Sequence, residues 1–397
     1  MALSLAVACL ALAALAAAAL GSFAKPRGFP VGKYPSAVAT GNFNADGKRD
    51  IVVANAASRN VSVLLGNGAG SFAKARNYAA GSNPNALAVG RLDGNDSRDL
   101  ALATGDGVAV LLGRGNGSFR APRSFPAGGP AVSVAIGDFD GNGSRDLSVV
   151  NHSGISVLLG RGDGSFGAPV AYPAGVNPQA VAVADFDGDG NLDLAVADGG
   201  VVDCEGRAAR ALAEASSCVG GFGTVSVLLG RGDGSFGPAT QYTVGPGTQP
   251  IAIVVADLDG DGVPDLALAD FMQYANSVSV LLGRGDGSFG QPRAFAVGEG
   301  PTALAAGDLN RDSRRDLVVV GRDSKTASIL LGKGNGAFRA ATAVATGAGN
   351  VGTNSAVAIG NLDGRSGPDL AVAISSTGGG ARNRVAVLLN QGNRRRR

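Results

Sequence analysis

The sequence predicts an all-β protein: a seven-bladed β-propeller of four-stranded antiparallel blades, closed into a ring by its own N-terminal strand. Three observations carry this reading. A unit of about 50 residues recurs seven times along a chain of 397 residues. Each unit reads as four short strands bounded by Gly, Asn, Asp and Pro. The two chain ends are fragments of one unit, and each supplies what the other lacks. Four strands in a repeat of this length make a propeller blade.

Two signatures define the repeat. The first is an acidic loop, Asp185-Phe-Asp187-Gly-Asp189-Gly190-Asn-Leu-Asp193, with cognates beginning at Asn42, Arg91, Asp138, Asp257, Asp308 and Asn361. Successive loops start 49, 47, 47, 72, 51 and 53 residues apart. The second is an apolar strand with a Gly-rich turn, Val225-Ser-Val-Leu-Leu-Gly-Arg-Gly-Asp-Gly-Ser-Phe236. It recurs from Val61, Val108, Ile155, Val278 and Ala327, and incompletely from Val385. In the third unit the four strands are expected at 131–137, 146–150, 155–159 and 167–173.

The ends follow the same logic. Residues 21–32, GSFAKPRGFPVG, match the fourth-strand segment GSFAKARNYAAG at 70–81, with no first three strands before them. Residues 385–389 form a third strand with no fourth after it. The first segment therefore completes the last blade, which leaves no open sheet edge. One propeller is expected over 21–393, with a basic tail at 394–397.

Composition agrees. The 64 Gly and 17 Pro are about a fifth of the chain, short of the roughly 25–30% that marks low-complexity disorder. Tight turns at positive φ account for the glycine. Apolar residues are 45% and aromatics 5%, so the core is Val, Ala, Leu and Ile. A net charge of +2 gives no electrostatic case for nucleic acid. One His and three Cys leave no ligand set for a zinc fold.

Residues 1–20, MALSLAVACLALAALAAAAL, read as a secretory signal with an A-x-A cleavage pattern at Ala17, Ala18 and Ala19, although no Lys or Arg precedes the apolar run. A membrane anchor is the alternative, but the run barely reaches the required ~20 apolar residues. Cys9 would leave with the signal. Secretion, to the extracellular space or periplasm, is the expectation.

The acidic loop paired with V-S-V-L-L-G-x-G-D-G-S-F resembles the FG-GAP or VCBS repeat. That repeat builds the seven-bladed propeller of integrin alpha subunits and of many secreted proteins, and the resemblance covers essentially all of 21–390. It implies calcium bound between the first and second strands of a blade, and it is far less specific for function than for fold, because one fold hosts many functions.

The residues of the loop point to the same ion. Oxygen side chains fall at loop positions 1, 3, 5 and 9, with Gly at 6 for a sharp turn. Calcium takes 6–8 hard oxygen ligands, and alternate carboxylates in a tight loop supply them. Asp, Asn and Gly are also ordinary turn formers, but four unneutralised carboxylates in one loop would repel strongly. Unit 4 (Asp185, Asp187, Asp189, Asp193) and unit 5 (Asp257, Asp259, Asp261, Asp265) carry four each. Unit 3 (Asp138, Asp140, Asn142, Asp146) and unit 6 (Asp308, Asn310, Asp312, Asp316) carry three and an Asn, and Ser313 replaces the turn Gly in unit 6. Unit 1 (Asn42, Asn44, Asp46, Asp50) carries two and should bind more weakly. Arg91 in unit 2 and Arg365 in unit 7 place a fixed cation among the ligands, so those loops should bind none. About four to five Ca2+ ions are expected.

Other motifs weigh less. Arg-Gly-Asp occurs at 161–163, 231–233 and 284–286, always in the turn between strands 3 and 4, where Gly66-Asn67-Gly68 and Gly332-Lys333-Gly334 fill the same slot. That makes it a turn and not an adhesion ligand. The same turns lack the context of a phosphate loop. Phe72, Phe119, Phe166, Phe236, Phe289 and Phe338 recur once per unit, as do Phe29, Tyr78, Phe125, Tyr172, Tyr242 and Phe295, which reads as packing between blades. Tyr34 and Tyr274 fall off this period and are candidates for a partner face. His152 is alone in a loop, and neither Asp203 nor Glu205 pairs with it into a catalytic set. Asn60, Asn95, Asn116 and Asn151 head N-x-S sequons.

Unit 4 is longer by about 24 residues, over 199–223, and includes Cys204 and Cys218 with a helical turn expected at 208–215. In a secreted chain this pair reads as a disulfide pinning a surface loop; two free thiols are the alternative. Strands alternate direction, so the acidic 1–2 loops share one face with the 3–4 turns, and the 2–3 and 4–1 loops share the other. The insertion is a 2–3 loop, and the other 2–3 loops (104–107, 151–154, 271–276, 322–327 and 375–383) also vary. Variable loops on a rigid scaffold are where binding resides. In integrin alpha subunits the face away from the calcium loops also engages ligand. The expectation is a monomeric, non-catalytic protein-binding or adhesion module with an extracellular protein or glycan partner. A lectin is the alternative, against which the absence of Trp weighs. A propeller-fold lyase or hydrolase comes third.

Overall fold

The computed structural model describes residues 22–200, 223–271, 276–322, 324–348, 352–365, 367–376 and 383–392. The proposed signal, Cys204 and Cys218, the 208–215 turn, Asp203, Glu205, Tyr274 and the 394–397 tail lie outside them. No described helix is long and apolar enough to cross a membrane.

Twenty-eight strands form seven four-stranded sheets. In blade 1 these are β2 (Pro35–Gly41), β3 (Asp50–Asn55), β4 (Asn60–Leu64) and β5 (Arg76–Ala79), hydrogen-bonded in chain order. The last blade is assembled from both ends: β26 (Gly352–Gly360), β27 (Asp369–Ser376), β28 (Arg384–Leu388) and, outermost, β1 (Arg27–Pro30). β1 pairs antiparallel with β28, with Arg27 opposite Val387 and Pro30 opposite Arg384.

Burial follows strand position. Second and third strands are buried along nearly their whole length, and none has an exposed residue: β3 and its six counterparts each begin with Asp and continue mainly in Val, Leu, Ile and Ala. Such strands face a neighbouring blade on both sides, so they carry no polar alternation. The core is accordingly seven clusters, each shared by two adjacent blades, as with Leu100 and Leu102 of blade 2 packing on Val52 and Ala54 of blade 1. The per-unit aromatics pack between blades as expected. Phe29 meets Phe72, Tyr78 meets Phe119 and Phe125 meets Phe166, edge to face with centroids 5.2–5.5 Å apart.

Boundaries shift slightly from expectation. The fourth strand of blade 3 shrinks to Val170–Tyr172. Pro169 ahead of it has no N–H for a ladder, and before that the chain meets the end of the third strand in a single bridge between Gly160 and Phe166.

Candidate metal centres and recognition face

Each acidic loop joins strands 1 and 2 of its blade. In unit 4 the chain must reverse within a few residues, and Gly188 and Gly190 do this at φ 76 and 89. Side chains then fold inward onto the loop's own amides. Asp185 accepts N–H bonds from Gly188 at 2.7 Å and Gly190 at 2.9 Å. Asp187 accepts from Asp189 at 3.2 Å, and Asp189 from Asn191 at 2.7 Å.

Three carboxylates converge in each of units 3, 4 and 5. Asp138, Asp140 and Asp146 offer oxygens within 4.8 Å of one another, as do Asp185, Asp187 and Asp193, and Asp257, Asp259 and Asp265. These are positions 1, 3 and 9. Position 5, expected as a fourth ligand, is not in these groupings and caps the N–H of position 7, as Asn142 does for Ser144 and Asp261 for Val263. Among the described residues, no such three-acid grouping forms in units 1 or 6. In unit 6 the two turn positions that are Gly in units 3, 4 and 5 are Arg311 and Ser313, held at φ 63 and 64. In units 2 and 7 the arginine supplies the positive charge: Arg91 lies 3.3 Å from Asp96, and Arg365 3.6 Å from Asp363.

The donor set of units 3 to 5 fits calcium. It is all oxygen, as a hard cation requires. Asp138 Oδ1 is buried without a hydrogen-bond partner, and Asn42 Oδ1 in the weaker unit 1 is likewise orphaned. A buried unpartnered acceptor is costly and is satisfied by a cation.

Position 9 has a second duty that the motif alone does not reveal. Asp193 is fully buried; Oδ2 accepts the N–H of Phe186 and Oδ1 that of Gly230, both at 2.7 Å. All seven blades repeat this clamp, including Asp99 in blade 2 and Asp369 in blade 7, whose loops have lost other ligands. It ties the 1–2 loop to the 3–4 turn. Burial pushes the carboxyls of Asp193, Asp265, Asp316 and Asp369 up to about 6 against the lowering effect of these amide bonds. The signal was present in the sequence: Asp persists at position 9 in all seven units even where positions 1 and 5 change.

The Arg-Gly-Asp segments are turns, as expected. Arg161 N–H bonds Ser165 O at 3.0 Å, and Asp163 accepts the N–H of Ser165 at 2.8 Å. The leading glycine is fixed by crowding, since a Cβ on Gly160 would sit 2.1 Å from Arg145 O.

The opposite face holds the 4–1 and 2–3 loops and the mouth of the central channel, a cavity of about 660 Å³ lined by all seven blades. First strands bulge there in six blades, at Ser36, Val132, Gln179, Ile251, Thr302 and Ser355, and each bulged residue lines the cavity. Bulges re-aim side chains. Some of these stitch the ring: Ser36 donates to Pro84 O of the next blade and Ser355 to Pro35 O, both at 2.6 Å. Tyr34 and Val176, on 4–1 loops of this face, are 57% and 56% exposed, two of the three large apolar side chains so exposed among the described residues. His152 is exposed in the 2–3 turn of blade 3, on this same face.

Comparison with known proteins agrees with this architecture. Solved structures of BBS1N in complex with ARL6DN, one soaked with mercury and one with lead, align at TM-score 0.60 and 14% identity, over 94% of this chain and 96% of theirs. A lectin from Agrocybe aegerita that recognises non-reducing terminal N-acetylglucosamine aligns at TM-score 0.51 and 20% identity, over 77% of this chain and 79% of that one. No curated protein matches. A family model described as the FG-GAP-like repeat matches residues 42–101, 91–149, 138–196, 217–268, 267–319 and 308–372, so the chain belongs to the FG-GAP-like repeat family.

Proposed function

We propose that the protein is a secreted, calcium-binding recognition module that docks a protein partner on the face carrying the 4–1 and 2–3 loops and catalyses nothing itself. One observation carries this: that face alone combines a cavity open to all seven blades with the exposed Tyr34 and Val176. The acidic face is a repeat of near-identical turns. A protein of the same fold in complex with a protein, BBS1N with ARL6DN, supports a protein partner. The lectin of similar fold supports a glycan as the second reading. Secretion rests on residues 1–20, and the disulfide between Cys204 and Cys218 on that compartment.

Calcium would be held by Asp138, Asp140 and Asp146 in blade 3 and by the matching carboxylates of blades 4 and 5, where it would neutralise their mutual repulsion. Excess Ca2+ is expected to raise the thermal midpoint relative to EDTA; identical midpoints would remove calcium from the proposal.

Binding is tested by presenting the purified protein, in Ca2+, to a panel of matrix and cell-surface proteins and to a glycan array. A protein hit weakened at least severalfold by Tyr34→Ala or Val176→Asp, and untouched by Ser165→Arg on the acidic face, is expected. A hit lost only through Ser165→Arg would place recognition on the other face, and a sugar hit would favour the lectin reading.

A further inference from the structure

The channel mouth is not chemically uniform. On the side formed by blades 4, 5 and 6, five lining side chains make a distinct patch: Asn177, Gln179, Gln249, Phe271 and Arg322. The Arg322 guanidinium lies 4.7 Å over the centroid of the Phe271 ring. The ring orients the cation without neutralising it, and among the described residues no carboxylate lines the cavity. Three primary amides face it. Gln179 Nε2 donates to Asn177 Oδ1 at 2.7 Å. Gly199 lets Asn177 and Gln249 converge, because a Cβ there would stand 3.0 Å from Asn177 Nδ2 and 3.3 Å from Gln249 Cγ. Ser36 and Ser355 are committed to interblade bonds, and Thr302 Oγ1 donates to Val320 O of its own blade. The amide and guanidinium groups on this side remain as the ligand-facing chemistry.

A planar guanidinium fork is matched to a carboxylate. Carboxamides, which both donate and accept, are matched to peptide N–H and C=O groups. We infer that the channel mouth binds an acidic peptide segment of a protein partner, Arg322 on its Phe271 platform taking a carboxylate while Asn177, Gln179 and Gln249 take the peptide backbone. This rests on the proposed recognition role of that face and names the chemistry it reads.

The test uses the whole protein and a fluorescein-labelled, end-capped tetraglutamate, with tetraglutamine and an oligogalacturonate as comparison probes, read by anisotropy at fixed salt. Saturable tetraglutamate binding is expected, with little binding of tetraglutamine. Arg322→Gln should weaken it about tenfold or more, the usual scale for a charged hydrogen-bond pair. Arg322→Lys should restore part of the affinity, and Phe271→Leu should weaken it through a platform it does not touch directly. Lys74→Gln, on the exposed outer wall, should change nothing. Arg322 is exposed, so thermal midpoints measured alongside should be unaltered by its substitution. Equal binding by wild type and Arg322→Gln overturns the inference and leaves the recognition role standing. So does binding of oligogalacturonate in preference to peptide, or no peptide binding at all in a protein that captures partners in the panel above. A protein that captures nothing in that panel fails the broader role first.

Discussion

Two buried carboxylates lie far from the acidic loops and bear on stability. Asp198 and Asp270 end the second strands of blades 4 and 5, fully buried, and each has one oxygen without a partner among the described residues. Their other oxygens accept from Ser226 at 2.6 Å and from Ser279 at 2.7 Å. Burial outweighs these bonds and pushes both carboxyls up to about 6 from 3.8. Between those values the folded chain keeps protons that the unfolded chain has released. Stability therefore falls as pH rises through that window, and the loss persists at neutral pH. Blades 1 and 3 place Asn at the same point, donating to the matching serine: Asn55 to Ser62 at 2.9 Å and Asn151 to Ser156 at 3.1 Å. Asp198→Asn and Asp270→Asn should each raise stability near neutral pH by on the order of 1–3 kcal/mol, and flatten the pH dependence of the melting midpoint below about pH 6. An unchanged or lower midpoint would mean that the carboxylate is required. The strained turn of unit 6 is a separate case. Ser313 at φ 64 occupies a conformation that costs a non-Gly residue roughly 1–2 kcal/mol, so Ser313→Gly should raise the midpoint measurably.

At the scale of the element, the acidic loop combines a carboxylate cluster of the kind that suits a metal ion with a clamp built from protein groups alone, and blade 2 separates the two. Arg91 stands at the first ligand position there, yet Asp99 still accepts the N–H of Leu92 at 2.6 Å and of Gly113 at 2.7 Å. Asp99→Ala strands two buried donors, each worth about 1–3 kcal/mol. The midpoint should drop by a similar amount with Ca2+ or with EDTA. In blade 4, Asp193→Ala should cost more in Ca2+ than in EDTA, since clamp and ligand go together. Equal losses in the two blades in Ca2+ would reduce position 9 to the clamp alone. Strand order, blade count and the turn role of Arg-Gly-Asp were all legible from the sequence, because each follows from local period and turn chemistry repeated seven times. A single loop does not reveal the clamp, because an Asp serving two backbone amides and an Asp serving an ion leave the same letter; only the persistence of Asp at position 9 where positions 1 and 5 change points to it. The Arg322 and Phe271 pairing was not legible. It joins 2–3 loops of two different blades, and no spacing within one repeat encodes it.

For the whole molecule, the deciding step is closure of the ring, which the matching chain ends foretold. The residue that finishes it was hidden. In six blades the 3–4 turn runs on covalently and a turn glycine reaches the preceding blade, as Gly336 N–H does to Leu258 O at 3.2 Å. In the last blade the third and fourth strands come from opposite ends of the chain, so no such turn exists. Asn390 stands in: its backbone N–H completes the Asp369 clamp at 2.7 Å, and its Nδ2 reaches Leu309 O of the preceding blade at 2.8 Å. Phe23 bridges to Asn390, and Ala24 N–H meets Leu389 O at 2.8 Å. Phe29 and Val31 then pack into the cluster joining the last blade to the first. Removing 22–31 would expose the edge of β28, and a bare strand edge recruits other strands. The truncated chain should melt earlier and less cooperatively and associate with rising concentration. A peptide spanning 22–32, added in trans, should restore both the midpoint and the monomer. Asn390→Ala should lower the stability of the intact chain by about 1–3 kcal/mol by stranding Leu309 O, read as an earlier midpoint, and the peptide should not rescue that loss. A truncated chain that melts as the full one does would mean that the ring is held by its blade interfaces without the closing strand.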